Sequence, residues 1–241
     1  MASIKLKHTS GNGTIIHSPA ANPSSDITLK LPSTTGSAGQ VLKVASANHS
    51  STNAELEFGA DASGKVLQVV NTTTNGAASV ALTNAYGNNN SNIYYLTSLN
   101  TSLTTTATNS KILISGNIFG ETSTYDHVIS FVLSSSINSG TTTPIDTLRG
   151  QTYGDRPRVT SVMSLGYYDD DQTSTPSVTS FSNYMYEPAQ ASGTSITISI
   201  GIAVTDGFTG NTFYLNRTVS DNNTSAYEKG ASSVTLMEVS A

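Results

Sequence analysis

The sequence of 241 residues contains no cysteine and no tryptophan, and only 11% of its residues are charged. Without cysteine, the chain has neither disulfides nor thiolate metal sites, which excludes a small disulfide-stabilised scaffold. Its 11 lysines and arginines do not cluster, and the formal net charge is −5. Because nucleic-acid binding draws on clustered basic side chains, we expect no nucleic-acid partner.

Long apolar runs are also missing. The first eight residues alternate polar and apolar side chains, without the apolar stretch of about 7–15 residues that a signal peptide needs. The longest apolar stretch, residues 198–204, is interrupted by Ser199 and is far shorter than the ~18–20 residues that span a bilayer. We therefore expect neither an export signal nor a membrane segment.

Short uncharged polar residues take the place of charge. The chain has 37 serines, 35 threonines and 20 asparagines. Serine and asparagine favour turns over helix interiors, whereas the β-branched threonine suits strands. A surface of hydroxyls and amides also avoids repulsion between identical chains that lie side by side. This composition predicts an all-β protein and favours a homo-oligomer.

Residues 1–60 predict a β-rich segment that lacks a core of its own. Strand patterns at 3–8, 14–17 and 26–31 are separated by turn residues and prolines, and short runs at 40–44 and 55–58 interrupt a Gly-, Ser- and Ala-rich connector. A lone hairpin is marginal in water. We expect neighbouring chains or a docking partner to cover this segment.

Residues 61–241 predict a β-sandwich. About ten strand patterns are separated by turn residues, at 65–70, 78–82, 93–96, 111–119, 126–133, 158–165, 178–186, 195–204, 212–219 and 233–239. The cleanest is 195–204, in which isoleucines and a valine at even positions alternate with small residues, as in a half-buried strand. The small-residue face suits either close packing against another surface or a neutral solvent face. Two antiparallel sheets joined by long loops favour a jelly roll.

Several segments resemble structural proteins of bacteriophages. Residues 3–8 and 36–43, the latter reading G-S-A-G-Q-V-L-K, resemble the N-terminal part of phage fibre proteins. Residues 109–114, 213–218 and 232–239 are similar to tail-fibre-like and fibre-knob proteins of cyanobacterial phages. The resemblance implies a homotrimer with a jelly-roll knob of the tumour-necrosis-factor or complement-C1q kind, located in the virion, whose N-terminal segment contacts other virion proteins.

Candidate docking and receptor residues follow from this division of the chain. For virion docking we select the apolar residues of the N-terminal strands: Ile4, Leu6, Ile15, Ile27, Leu29 and Leu31. For contact with a host-surface glycan we select loop tyrosines and the acidic run beside them: Tyr153, Tyr167, Tyr168, Asp169, Asp170 and Asp171. Tyrosine gives a large contact area at low entropic cost, although tyrosines also fill sheet edges and subunit contacts.

Motifs for common enzyme chemistry are missing. The sequence has no G-x-S-x-G, no G-x-x-x-x-G-K and no H-E-x-x-H, and its four histidines are scattered. The acidic run could bind calcium through hard oxygen ligands, but its spacing does not match an EF-hand, which favours a solvated loop. We expect no catalytic residue, no metal site and no cofactor.

Three functions remain open at this point. The first is a short trimeric fibre or knob on a phage particle that contacts host glycans weakly and multivalently. The second is a capsid decoration protein that binds no receptor. The third is a glycan depolymerase, whose paired carboxylates would meet in space rather than in sequence.

Overall fold

The computed structural model describes residues 3–7, 13–17, 28–37, 40–50, 53–60, 64–86, 91–123, 129–154, 156–162, 176–204, 209–223, 225 and 227–241. The chain divides into two compact units, Met1–Ala62 and Ser63–Ala241.

The first unit contains a hairpin and a small sheet. Strands β1 (Ser3–Lys7) and β2 (Gly13–His17) form the antiparallel hairpin. The sheet consists of β3 (Thr28–Lys30), β4 (Gln40–His49) and β5 (Asn53–Ala60) in the order β3–β5–β4, with β3 parallel and β4 antiparallel to β5. These strands confirm the predicted patterns, and β4 extends beyond the expected end at residue 44.

The second unit holds the remaining strands: β6 (Val66–Thr74), β7 (Ala78–Leu82), β8 (Tyr94–Tyr95), β9 (Thr101–Thr104), β10 (Lys111–Thr122), β11 (Ile129–Ile137), β12 (Thr143–Pro144), β13 (Ser161–Val162), β14 (Ser177–Tyr186), β15 (Ser195–Val204), β16 (Asn211–Leu215) and β17 (Ser232–Val239). Single turns of 3₁₀ helix lie at Thr97–Leu99 and Asp146–Leu148. The prediction of an all-β chain is confirmed.

One sheet of this unit has β10 near its centre. Strand β14 pairs with one edge of β10, and β17 and β16 pair with successive stretches of the other edge. In the same way β6 pairs with β17, and β7 pairs with β16. The sheet is therefore four strands wide. At two of its four positions a strand is interrupted, once between β16 and β17 and once between β6 and β7.

The other sheet is built on β11 and β15, which pair along their full lengths. The free edge of β15 is covered by β8 and β9, and that of β11 by β12 and β13. This sheet also has four strand positions. Together the two sheets form a sandwich.

The core lies between the inner faces of the two sheets. Ile112, Ile114 and Leu236 from the first sheet and Ile198 and Ile200 from the second are completely buried. The rings of Phe131 and Phe213 meet edge to face across the sandwich, with their centres 6.4 Å apart. The predicted inward face of β15 is confirmed.

The small-residue face of β15 is covered in part by its own chain. Ala203 packs with Tyr86 and Val132 in a second buried cluster, against which Ile93 and Val159 lie. Gly201 leaves room for Ile93, because an added Cβ would collide with that side chain. This part of the face is therefore neither a solvent face nor a surface for another chain.

The predicted strand at 212–219 ends earlier, at Leu215. The reason is Asn216, which has a positive φ of 59° and so cannot continue the strand. The chain leaves the sheet there and returns at Ser232 as β17. Asn216 is buried, and its side-chain amide donates to the carbonyl oxygens of Thr74 and Gly76, both at 3.0 Å.

Candidate interaction site

The outward face of the β14–β10–β17–β6 sheet carries an apolar row. The register pairs Val69 with Met237, Met237 with Leu113, and Leu113 with Met185, so one apolar side chain from each strand lies in line across the sheet. Val69 is 56% exposed and Met185 is 38% exposed. We call these four residues the apolar row.

Neutral hydrogen-bonded residues lie beside the apolar row. The amide nitrogen of Asn71 donates to the hydroxyl of Thr235 at 2.8 Å, and the hydroxyl of Ser233 donates to the side-chain oxygen of Asn117 at 2.7 Å. Because these side chains satisfy one another, they can be covered at a lower desolvation cost than unpaired polar groups. On the other side of the row, Lys111 pairs with Glu187 at 2.9 Å.

This arrangement suits contact with another copy of the same face. Exposed apolar area favours association, and the ion pair of Lys111 with Glu187 adds no net charge to the face that an identical partner would meet. Sequence reasoning did not identify the apolar row, because its members come from four separate strands and only the register aligns them.

Tyr153 is the one predicted receptor residue that the structure describes. It is 73% exposed, and the guanidinium of Arg156 lies 5.3 Å from the centre of its ring, within the range of a cation–π contact. Tyr167, Tyr168, Asp169, Asp170 and Asp171 lie outside the described residues. The sequence did not predict that Arg156 would lie next to Tyr153.

An arginine cluster supports the loop that carries Tyr153. The guanidinium of Arg149 is buried, donating to the hydroxyl of Tyr86 at 3.1 Å and to Asp146. Arg158 donates to the same carboxylate at 3.1 Å and to the carbonyl oxygen of Gly150 at 2.7 Å. The hydrogen bond from Arg149 is the main reason that the pKa of Asp146 is lowered. This cluster fixes the base of the loop rather than forming an open site.

The predicted docking residues are distributed over the first unit. In the hairpin, Ile4 pairs with Ile16, Leu6 pairs with Thr14, and Ile15 pairs with Lys5. Leu29 is 57% exposed and Leu31 is 75% exposed. Ile27 lies outside the described residues.

A buried carboxylate lies at one end of the sandwich. Glu238 accepts hydrogen bonds from the hydroxyl of Ser110 at 2.6 Å, the amide of Gln68 at 2.6 Å and the backbone nitrogen of Thr106 at 2.8 Å. Burial raises the pKa of Glu238, but these hydrogen bonds outweigh it, so the pKa is lowered overall. In the described part of the chain, no three His, Cys, Asp or Glu side chains come together as a metal site.

Comparisons with known proteins assign no family. No family model and no curated protein matches the chain. A chain in a solved structure of infectious bursal disease virus, Gx strain, is similar over 82% of this chain at 14% identity, with a TM-score of 0.33. This chain spans less than half of that one, 46% of its length. Among the described residues, no helix has the length and apolarity to span a membrane.

Proposed function

We propose that the chain is a structural protein of a bacteriophage particle, a short homotrimeric fibre or knob. In this proposal the first unit contacts other virion proteins and the second unit faces outward, where it contacts host-surface glycans. The observation that carries the proposal is the apolar row on the outward face of the β14–β10–β17–β6 sheet, beside which Lys111 and Glu187 neutralise each other. Exposed apolar area favours association, and the same face of three copies can meet around a threefold axis.

The strand order supports a jelly roll for the second unit. The pairs β6 with β7, β8 with β9, β12 with β13, and β16 with β17 are each counted as one interrupted strand. The second unit then has eight strands in chain order. The first, eighth, third and sixth form one sheet, and the second, seventh, fourth and fifth form the other. Two four-stranded sheets connected in this way are the arrangement of a jelly roll, the fold that the resemblance to fibre knobs implies.

The composition supports a non-enzymatic role. The sequence contains none of the common nucleophile, phosphate-loop or zinc motifs, and its polar residues are mainly serine, threonine and asparagine. Incubation of the protein with host polysaccharide should release no new reducing ends. Robust hydrolysis that is lost on substitution of one carboxylate would overturn the non-enzymatic proposal in favour of a depolymerase.

Electron microscopy of intact particles, with this protein labelled by a specific antibody, tests the location. We expect label on short projections from the particle. Label spread evenly over the capsid surface, together with unchanged adsorption when the protein is omitted, would favour the decoration protein. Absence of label from the particle would overturn the proposal.

A further inference from the structure

The β3–β5–β4 sheet of the first unit separates its apolar and charged side chains onto opposite faces. Paired residues share a face, and alternate residues along a strand point the same way. The register therefore places three apolar pairs together on one face: Leu42 with Phe58, Val44 with Leu56, and Leu29 with Ala54. We call this the apolar face.

The opposite face carries the charges. Lys43 pairs with Glu57, with 3.6 Å between the ammonium and a carboxylate oxygen, and Lys30 pairs with Glu55 in the register. These cross-strand pairs of opposite charge mark the face that is suited to water. The apolar face has no charged residue among its three pairs.

In the described part of the chain, several side chains of the apolar face are exposed. Leu42 is 51% exposed, Val44 is 49% exposed and Phe58 is 37% exposed, although the backbone of Gly36 lies against the Phe58 ring. Among the side chains that the structure describes in residues 29–59, Ala45 is the only buried apolar one. Apolar area left in water favours association, so this face favours a lasting cover.

We propose that the apolar face is covered by the apolar faces of two further copies of the chain, so that three such sheets enclose a shared core. The inference rests on the proposed homotrimer and deepens it, because it assigns the first unit a part in assembly. Three identical uncharged faces can meet without opposing like charges.

A second copy fits this face better than a virion protein does. The sheet needs its cover as soon as it folds, and other copies of the chain are present then. Obligate homo-oligomeric interfaces are also more hydrophobic than contacts formed later between finished proteins. A docking surface for a different protein would gain specificity from charged or polar groups, and none is present in the three pairs.

The inference divides the predicted docking residues into two groups. Leu29 belongs to the apolar face and so lies inside the trimer. The β1–β2 hairpin, which carries Ile4, Leu6 and Ile15, is the part of the first unit to which we assign the proposed contact with the virion. The first unit then combines two roles, assembly through its sheet and docking through its hairpin.

Single cysteines provide the test, because the chain has no cysteine of its own. Leu42→Cys places a thiol on the apolar face, and Val41→Cys places one on the opposite face at the adjacent position. Val41 is 40% exposed, so the two thiols should be similarly accessible in a single chain. In the purified full-length protein we expect maleimide to label Leu42→Cys more slowly by roughly tenfold or more. Mild oxidation should join Leu42→Cys chains into covalent dimers and leave Val41→Cys unjoined.

The other outcomes overturn the inference in distinguishable ways. Equal labelling rates in a protein of trimeric mass would contradict it and leave the homotrimer intact. Protection of Leu42→Cys only after incorporation into particles would assign the cover to a virion protein. If Leu42→Cys is protected from maleimide in a protein of monomeric mass, the cover comes from the same chain. A monomeric mass would also contradict the proposed homotrimer.

Discussion

The side-chain oxygen of Asn216 accepts a hydrogen bond of 2.6 Å from the hydroxyl of Ser232, 16 positions later in the sequence. The same asparagine donates to the carbonyl oxygens of Thr74 and Gly76. The side chain of Asn216 thus links the end of β16 to the start of β17. It also links these two strands to the segment between β6 and β7. This contact keeps two interrupted strands aligned.

Replacement of Asn216 by alanine should therefore destabilise the second unit. It removes the donor to both carbonyl oxygens and the acceptor of the buried hydroxyl of Ser232, and we expect a loss of about 3 kcal/mol in the free energy of unfolding, measured by urea titration. Asn109→Ala is the matched control, since Asn109 has nearly the same φ, 58°, and is exposed. Losses of equal size in the two variants would mean that backbone strain, rather than the buried hydrogen bonds, accounts for the effect.

Glu238 should make stability depend on pH in the acid range. Its folded pKa lies below its ordinary value of 4.5, so the carboxylate contributes its full stabilisation above pH 4.5. That contribution is lost as the pH falls through the folded pKa. Glu238→Gln should cost about 2 kcal/mol near neutral pH, because it places an amide donor among donors, and less in acid. The exposed Glu228→Gln is the control, and a cost that does not change with pH would contradict this assignment.

The register of β15 predicts unequal effects at two adjacent positions. Ile198 is completely buried, so Ile198→Asp places an unpaired charge in the core and should cost more than about 4 kcal/mol. Thr197 is only partly buried and shares a 2.7 Å hydrogen bond with the hydroxyl of Ser102, so Thr197→Asp should cost about 1 kcal/mol. Thermal unfolding of both variants gives the comparison, and small equal shifts would contradict the register.

Tyr153 allows receptor contact to be separated from folding. Because its side chain is largely exposed, Tyr153→Ala should change the free energy of unfolding by less than about 0.5 kcal/mol. If the loop contacts host glycans, particles that carry the variant should adsorb to host cells more slowly. Val162→Ala, at another exposed position, should adsorb at the normal rate. Normal adsorption by the Tyr153 variant would contradict a receptor role for this residue.

The sequence predicted the strands whose apolar residues alternate, as in β15, because alternation reflects burial of one face. It did not predict β9, whose four residues T-S-L-T include one apolar side chain; that strand exists because it pairs with β15. The sequence did not predict the apolar row either. Its alignment depends on the register of three strand pairs, with a shift between Ile114 and Gly116 where β10 pairs with β14, and no local pattern reveals that register.

The central claim, a homotrimer that uses the apolar row, is tested most directly by light scattering on the intact protein and two matched variants. Val69 and Val162 are similarly exposed, at 56% and 59%, but only Val69 belongs to the apolar row. We expect the wild type and Val162→Glu to have about three times the chain mass of 25.1 kDa, and Val69→Glu to dissociate at a higher protein concentration than either of them when all three are diluted. A wild type of 25.1 kDa, or a Val69→Glu variant that dissociates no more readily than Val162→Glu, would contradict the claim.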